Sequence, residues 1–152
     1  MRPTIIVTNR AHLDQLIAQE MKTQGPSCDL NHLDVSQVTD MHEVFKGSAF
    51  NGDISQWDTS KVTNMSSMFN SSVFTGDISA WDVSNVERMT WMFYHSVFHG
   101  DLSSWEFSRD CEYLRTDLHA CSCLCVVVMG QRDAVASLLS FSVMTSRNCR
   151  LR

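Results

Sequence analysis

FNGDISQWDTSKVTNM, residues 50–65, is followed by FTGDISAWDVSNVERM at 74–89 and FHGDLSSWEFS at 98–108. Each copy opens on Phe, and each start lies 24 residues after the one before. A fixed interval of this length marks an internal repeat, in which no single unit can bury its own apolar face. Working backwards, CDLNHLDVSQVTDM from Cys28 aligns with GDISQWDTSKVTNM from Gly52, with Cys28 at the Gly position and Leu33 at the Trp position. Three complete laps follow, 28–51, 52–75 and 76–99, and a fourth opens at Gly100 and fails.

Each part of a lap has a physical reading. Gly52, Gly76 and Gly100 are expected where a turn demands φ > 0. A short extended piece carries Ile54, Ile78 or Leu102 and ends on Trp57, Trp81 or Trp105, whose rings should stack from lap to lap. Asp-x-Ser at Asp58–Ser60 and Asp82–Ser84 predicts a turn with Ser as a helix N-cap. Val62, Met65, Met68 and Phe69, like Val86, Met89, Met92 and Phe93, then have the spacing of one face of a two-turn helix. The expected fold class is α/β: a short-repeat solenoid with one short strand and one short helix per lap, the strands pairing in parallel at about 4.8 Å.

FNGDISQWDTSKVTNMSSMF resembles the repeat of the BspA-like, leucine-rich-repeat-related bacterial surface proteins, a group also known by a domain of unknown function. The resemblance covers residues 28–108. It implies a leucine-rich-repeat-like solenoid and a role in binding at a bacterial surface or toward a host. It implies no catalytic residues.

Residues 1–27 read as an N-terminal cap. Ile5, Ile6 and Val7 form a short strand, Thr8 or Asn9 offers an N-cap, and Leu13, Leu16, Ile17 and Met21 line one face of a helix that Gly25 and Pro26 end. Such a segment covers the apolar cross-section that the end of a stack exposes. In the fourth lap Asp110 falls at the position of Val62 and Val86, and Thr116 and Asp117 at that of Met68 and Phe69. Carboxylates there are costly to bury, so the array ends. Residues 109–152 admit two readings, a native C-terminal cap or the frameshifted end of a longer array. Leu114, Leu118 and Cys121 suggest a closing helix, CLCVVVM a strand and DAVASLLSFSVM a further helix.

Charge narrows the partners. The net charge is -5, but residues 28–108 alone hold eleven acidic and three basic residues. That balance disfavours a phosphate backbone, so no nucleic acid is expected. A basic or metal-bearing partner suits the acidic middle better. No apolar run is long enough to span a bilayer. MRPTIIVTNRAHLDQLIAQEM lacks the apolar core of a secretory signal, so the chain as given is expected in the cytoplasm, or at the cell surface if it is part of a longer exported product. Its six cysteines are then free thiols.

Candidate chemistry is sparse. The acidic columns are Asp29, Asp53, Asp77 and Asp101, and Asp34, Asp58, Asp82 and Glu106. Asp53, Asp77 and Asp101 are either calcium ligands or turn residues holding local N–H groups. Cys121, Cys123 and Cys125 with His119 are either a soft-metal site or small buried residues. Cys111 or Ser108 beside His95, His99 or His119 makes only a weak nucleophile–base pair. Trp91, Tyr94, His95 and His99 depart from the repeat on an outer surface, where they are either contact anchors or the seat of the C-terminal cap. The reading is a non-enzymatic, cofactor-free module that binds a protein, as in host or phage–bacterium interaction. The alternatives are a bacterial adhesin-type surface fragment and, more remotely, a metal-binding protein built on the tail cysteines.

Overall fold

Asn9 sets the first boundary of the chain. Its side-chain oxygen accepts the His12 N–H at 3.0 Å, satisfying one of the donors that a helix start leaves unpaired. The structure is a computed structural model and describes residues 2–108 and Cys111. Helix α1 runs Arg10–Gln24 and stops at Gly25, whose φ of 87° carries its N–H back to the Met21 carbonyl. Leu13 and Ile17 are buried, with Leu16 and Met21 packed beside them. Before the helix, β1 (Ile5–Ile6) pairs in parallel with β2 (Leu33–Asp34), Ile5 opposite Leu33. Salt bridges Arg2–Glu20 (3.1 Å) and Arg10–Asp14 (2.9 Å) tie the outer face, and Arg10 also donates to the His42 carbonyl.

From Cys28 to Ser108 the chain is a succession of turns. The helix expected at Val62–Phe69 is not formed, and α1 is the one helix among the described residues. The hydrogen bonds explain why. Met65, Ser67, Phe69 and Ser71 donate to the carbonyls of Arg88, Thr90, Met92 and Tyr94, all within 2.8–2.9 Å. Met41, Glu43, Phe45 and Gly47 donate in the same way to Asn64, Ser66, Met68 and Asn70. Alternate N–H groups therefore leave their own lap, while Met68, Asn70 and Ser72 close turns onto Met65, Ser67 and Phe69. The zigzag needs left-handed residues. Glu43, Ser67 and Trp91, one lap position, have φ of 60°, 55° and 58°, and Gly47, Ser71 and His95, another, have 61°, 56° and 53°. A right-handed helix cannot pass through such residues. A two-turn segment gains little from its own helix, so the neighbouring lap wins its donors.

The strand expected in each lap also shrinks: in that part of the lap only β2 and one parallel bridge, Asp29 with Asp53, are formed among the described residues, while two further bridges, Asp40 with Asn64 and Asn64 with Arg88, fall in the segment where the helix was expected. Ser60 and Ser84 cap no helix; each gives its N–H and Oγ–H to the Oδ1 of Asp58 or Asp82 instead.

The apolar side chains meet in columns. Phe45, Phe69 and Phe93 stack at 5.5 and 5.6 Å between ring centroids, and Phe50, Phe74 and Phe98 at 6.0 and 6.1 Å. The two columns touch, with Phe69–Phe74 at 4.6 Å. Trp57 and Trp81 lie 6.3 Å apart and 6° from parallel. These are offset-stacked distances, in which each ring covers the next. Burial alone leaves the indole N–H unsatisfied, and the fold solves this the same way three times. Trp57, Trp81 and Trp105 donate Nε1–H to the carbonyls of Leu30, Ile54 and Ile78 at 3.0–3.1 Å. Each bond reaches into the lap before. Val62, Met65 and Met68, with Val86, Met89 and Met92, fill the remaining interior.

Gly52, Gly76 and Gly100 do not adopt the expected positive φ; among the described glycines Gly25 and Gly47 do. Their reason is space. A Cβ at Gly76 would stand 2.7 Å from the Phe74 ring, and one at Gly100 2.5 Å from the Phe98 ring. The aromatic two residues earlier folds over the backbone, and only hydrogen fits beneath it. Cys28 is permitted at this position because Pro26, not Phe, precedes it by two. The expected elements beyond residue 111, including the closing helix and the tail cysteines, lie outside the described residues.

Candidate functional site

Three lap positions change size from one lap to the next. Positions 42, 66 and 90 carry His, Ser and Thr; 43, 67 and 91 carry Glu, Ser and Trp; 46, 70 and 94 carry Lys, Asn and Tyr. Because equivalent positions are neighbours across laps, a small residue in the middle makes a depression between two larger ones. The result is a surface slot of about 700 Å³, inside the range of ligand-sized clefts. Ser66, Ser67 and Asn70 form its floor. His42, Glu43 and Lys46 form one wall, and Trp91 and Tyr94, with Thr90, the other. The walls stand two lap steps apart, roughly 10 Å between backbones.

The walls differ in chemistry. Lys46 pairs with Glu43, and its ammonium holds the Glu43 carboxyl below the ordinary glutamate range. This wall offers donors and an acceptor with little net charge. Trp91 and Tyr94 are 48% and 36% exposed, in contrast to Trp57, Trp81 and Trp105, all of which are buried. Thr90 Oγ1 donates to Ser66 Oγ across the floor at 3.3 Å. Trp91 also sits at φ 58°. A bulky residue in the left-handed region costs about 1–2 kcal/mol, and Ser67 satisfies the same backbone without a large ring.

Of the four residues singled out in the sequence, Trp91 and Tyr94 share the slot, and His95 lies against Tyr94 with ring centroids 4.1 Å apart. His99 is separate, its Nδ1 2.9 Å from the Val97 carbonyl, and neither histidine lines the slot. Sequence reasoning missed His42, Glu43, Lys46, Ser66, Ser67 and Asn70. The signal was the large–small–large alternation down equivalent positions, which becomes a shape only when the laps are neighbours.

Asp53, Asp77 and Asp101 are each engaged locally. Each Oδ1 accepts the N–H of the residue two ahead, Ser55, Ser79 or Ser103, at 2.9 Å. Those backbone N–H bonds are the first cause that lowers the three carboxyl pKa values. The serine hydroxyls do the same for Asp58 and Asp82, helped by the backbone N–H groups. Among the described residues no group of three His, Cys, Asp or Glu side chains is placed to hold a metal. Cys28 and Cys111 are buried, and burial raises the Cys28 pKa.

A pH dependence follows. The folded carboxylates have pKa values below those of the unfolded chain, so the unfolded state takes up protons first as pH falls. Their contribution is complete above the unfolded value, about 4, and is lost progressively as pH falls through the folded values. Urea denaturation at stepped pH is expected to show flat stability between pH 5 and 7 from these groups and a decline below about 4. In a Asp53→Asn, Asp77→Asn variant the acid decline should be shallower; an unchanged slope would refute the assignment.

A protein-family model described as "Mycoplasma protein of unknown function, DUF285" matches residues 13–118, more than half of the chain. No curated protein and no solved structure matches it.

Proposed function

The chain belongs to that DUF285 family, and from this premise we propose that it is a non-enzymatic solenoid whose outer surface binds a protein partner, without a cofactor. The observation that carries this reading is the pair Trp91 and Tyr94, large aromatics left exposed while every equivalent interior ring is buried. Aromatic residues of this kind dominate the energy of interfaces, where the partner removes them from water. The side chain placed at Trp91 supports it too: Glu43 and Ser67 meet the same left-handed backbone in the other laps, so the backbone there does not call for an indole. The apolar side chains of Val73 and Val97, one lap apart, are exposed as well. The acidic balance of residues 28–108 favours a partner with a basic contact rim. Residues 1–27 act as the cap of the stack.

A pull-down comparing wild type with a Trp91→Ala, Tyr94→Ala double variant tests the reading. The partner recovered by wild type is expected to fall at least about tenfold with the double variant, the loss of about 1.4 kcal/mol or more. Equal recovery by both proteins refutes the contact face.

A further inference from the structure

The slot has a shape and a chemistry more specific than a flat contact face. One wall is aromatic, the opposite wall is a paired Lys46 and Glu43, and the floor carries two serines and Asn70. We propose that the slot binds a neutral pyranose ring, as a free oligosaccharide or as the glycan of the partner. The inference rests on the reading of this face as the binding surface.

Charge comes first. A cationic guest would meet Lys46, an anionic one would meet Glu43, and the two side chains already neutralise each other. A neutral guest loses nothing to either. Next comes the aromatic wall. One face of a pyranose presents C–H groups of slight positive charge, and an indole or phenol face presents the negative part of its quadrupole, so the two stack. The ring's edge carries hydroxyls, each both donor and acceptor. The Asn70 amide N–H groups and the Lys46 ammonium supply donors for them and the Glu43 carboxylate an acceptor, while Asn70 Oδ1 accepts the Ser71 hydroxyl at 2.8 Å. A proline-rich peptide would also stack on Trp91 and Tyr94, but it carries few donors and would leave the polar wall and floor of the slot unpaired. The separation of the walls, two lap steps, admits one ring standing on edge between them. The slot is open to solvent, so affinity is modest, with a dissociation constant on the order of 1 mM for a short oligosaccharide.

The position of Trp91 supports the assignment independently of charge. The same lap position accepts Glu43 and Ser67, so neither core nor backbone requires an indole there. Trp91→Asn should therefore leave the fold at least as stable, because Asn tolerates the left-handed region better than Trp, while removing the stacking wall.

Isothermal titration of the full chain with cellotetraose, chitotetraose and mannotetraose is the test, with a heparin tetrasaccharide and a proline-rich decapeptide as controls. Binding of at least one neutral tetrasaccharide is expected, weakened at least about tenfold by Asn70→Ala and by Trp91→Asn, with the thermal midpoint of both variants preserved. Acrylamide quenching adds location: Trp91 is the accessible indole among the four, and the bound sugar should protect it. For a glycan carried by the partner, glycosidase treatment of the recovered partner should abolish its capture. No heat from any neutral sugar, together with capture that survives deglycosylation, overturns the inference. The proposed protein-binding role then still stands if the double variant loses the partner. Binding of the decapeptide or the heparin fragment in preference to every neutral sugar overturns it as well, and reassigns the slot.

Discussion

Trp81→Ala is expected to lower the stability of the fold by about 3–5 kcal/mol, the range for deleting a buried aromatic. The indole is buried between laps, 6.3 Å from Trp57 and 6.2 Å from Phe69. Removing it opens a void that the stacked rings cannot close without breaking their own register. It also removes the Nε1–H bond to the Ile54 carbonyl. That carbonyl keeps the Trp57 N–H, so the lost bond is the smaller part. Trp81→Phe separates the two contributions: it keeps much of the stacking area and drops the bond, for a loss of about 1–2 kcal/mol. Urea denaturation followed by far-UV circular dichroism measures both. With total stabilities of about 5–15 kcal/mol for domains of this size, the Ala variant should be partly unfolded at room temperature if the chain lies near the lower end. A loss below about 1 kcal/mol would mean that the Trp column does not bear on stability.

The second large effect is at Gly52. A Cβ there would lie 1.9 Å from the Cys28 carbonyl oxygen and 2.8 Å from the Phe50 ring. The oxygen is backbone and already accepts the Asp53 N–H at 3.3 Å, so relief requires moving one lap away from the other. Gly52→Ala should cost about 3 kcal/mol or more, the upper end for overpacked sites. Gly76→Ala meets only the Phe74 ring at 2.7–2.8 Å and the Gly52 carbonyl at 3.2 Å, and should cost less. Gly47→Ala tests the opposite limit. Nothing lies within 4 Å of its Cβ, and the cost is that of φ 61° alone, about 1 kcal/mol. Ser71 and His95 already occupy equivalent positions at φ 56° and 53°. The expected order of midpoints is therefore Gly47→Ala above Gly76→Ala above Gly52→Ala. An inverted order would show that conformation, not space, selects these glycines.

These two sites illustrate what the residue pattern reveals and what it withholds. The 24-residue interval is visible to inspection, and with it the identity of residues that meet, such as Trp57 with Trp81 and Phe69 with Phe93. Asn9 and Gly25 announce the limits of α1 because capping chemistry is local. The backbone of Met65–Phe69 was not legible. A spacing of three, three and one turns side chains to one side in a helix, and the same spacing does so in a run of tight turns. What separates the two is where the N–H groups go, and side-chain polarity says nothing about a donor that crosses to the next lap. The glycines misled for a related reason: turn residues and crowded residues share one amino acid. As for the slot, the exposure of Trp91 and Tyr94 could be read from their departure from the repeat. The facing wall could not, because Glu43 and Lys46 look like ordinary surface charges until the laps are placed side by side.

The bonds that run from each lap to the next have a consequence for how such a chain changes length. Since Met41 and Met65 occupy interchangeable rungs, excising one whole unit of 24 residues would let the remaining units rejoin rung for rung. Any other deletion would leave a seam of mismatched donors and rings. Copy number is thus free to drift while unit length is not. Losing the middle unit would bring Glu43 directly beside Trp91, and the cleft between them would vanish although the interior stayed filled.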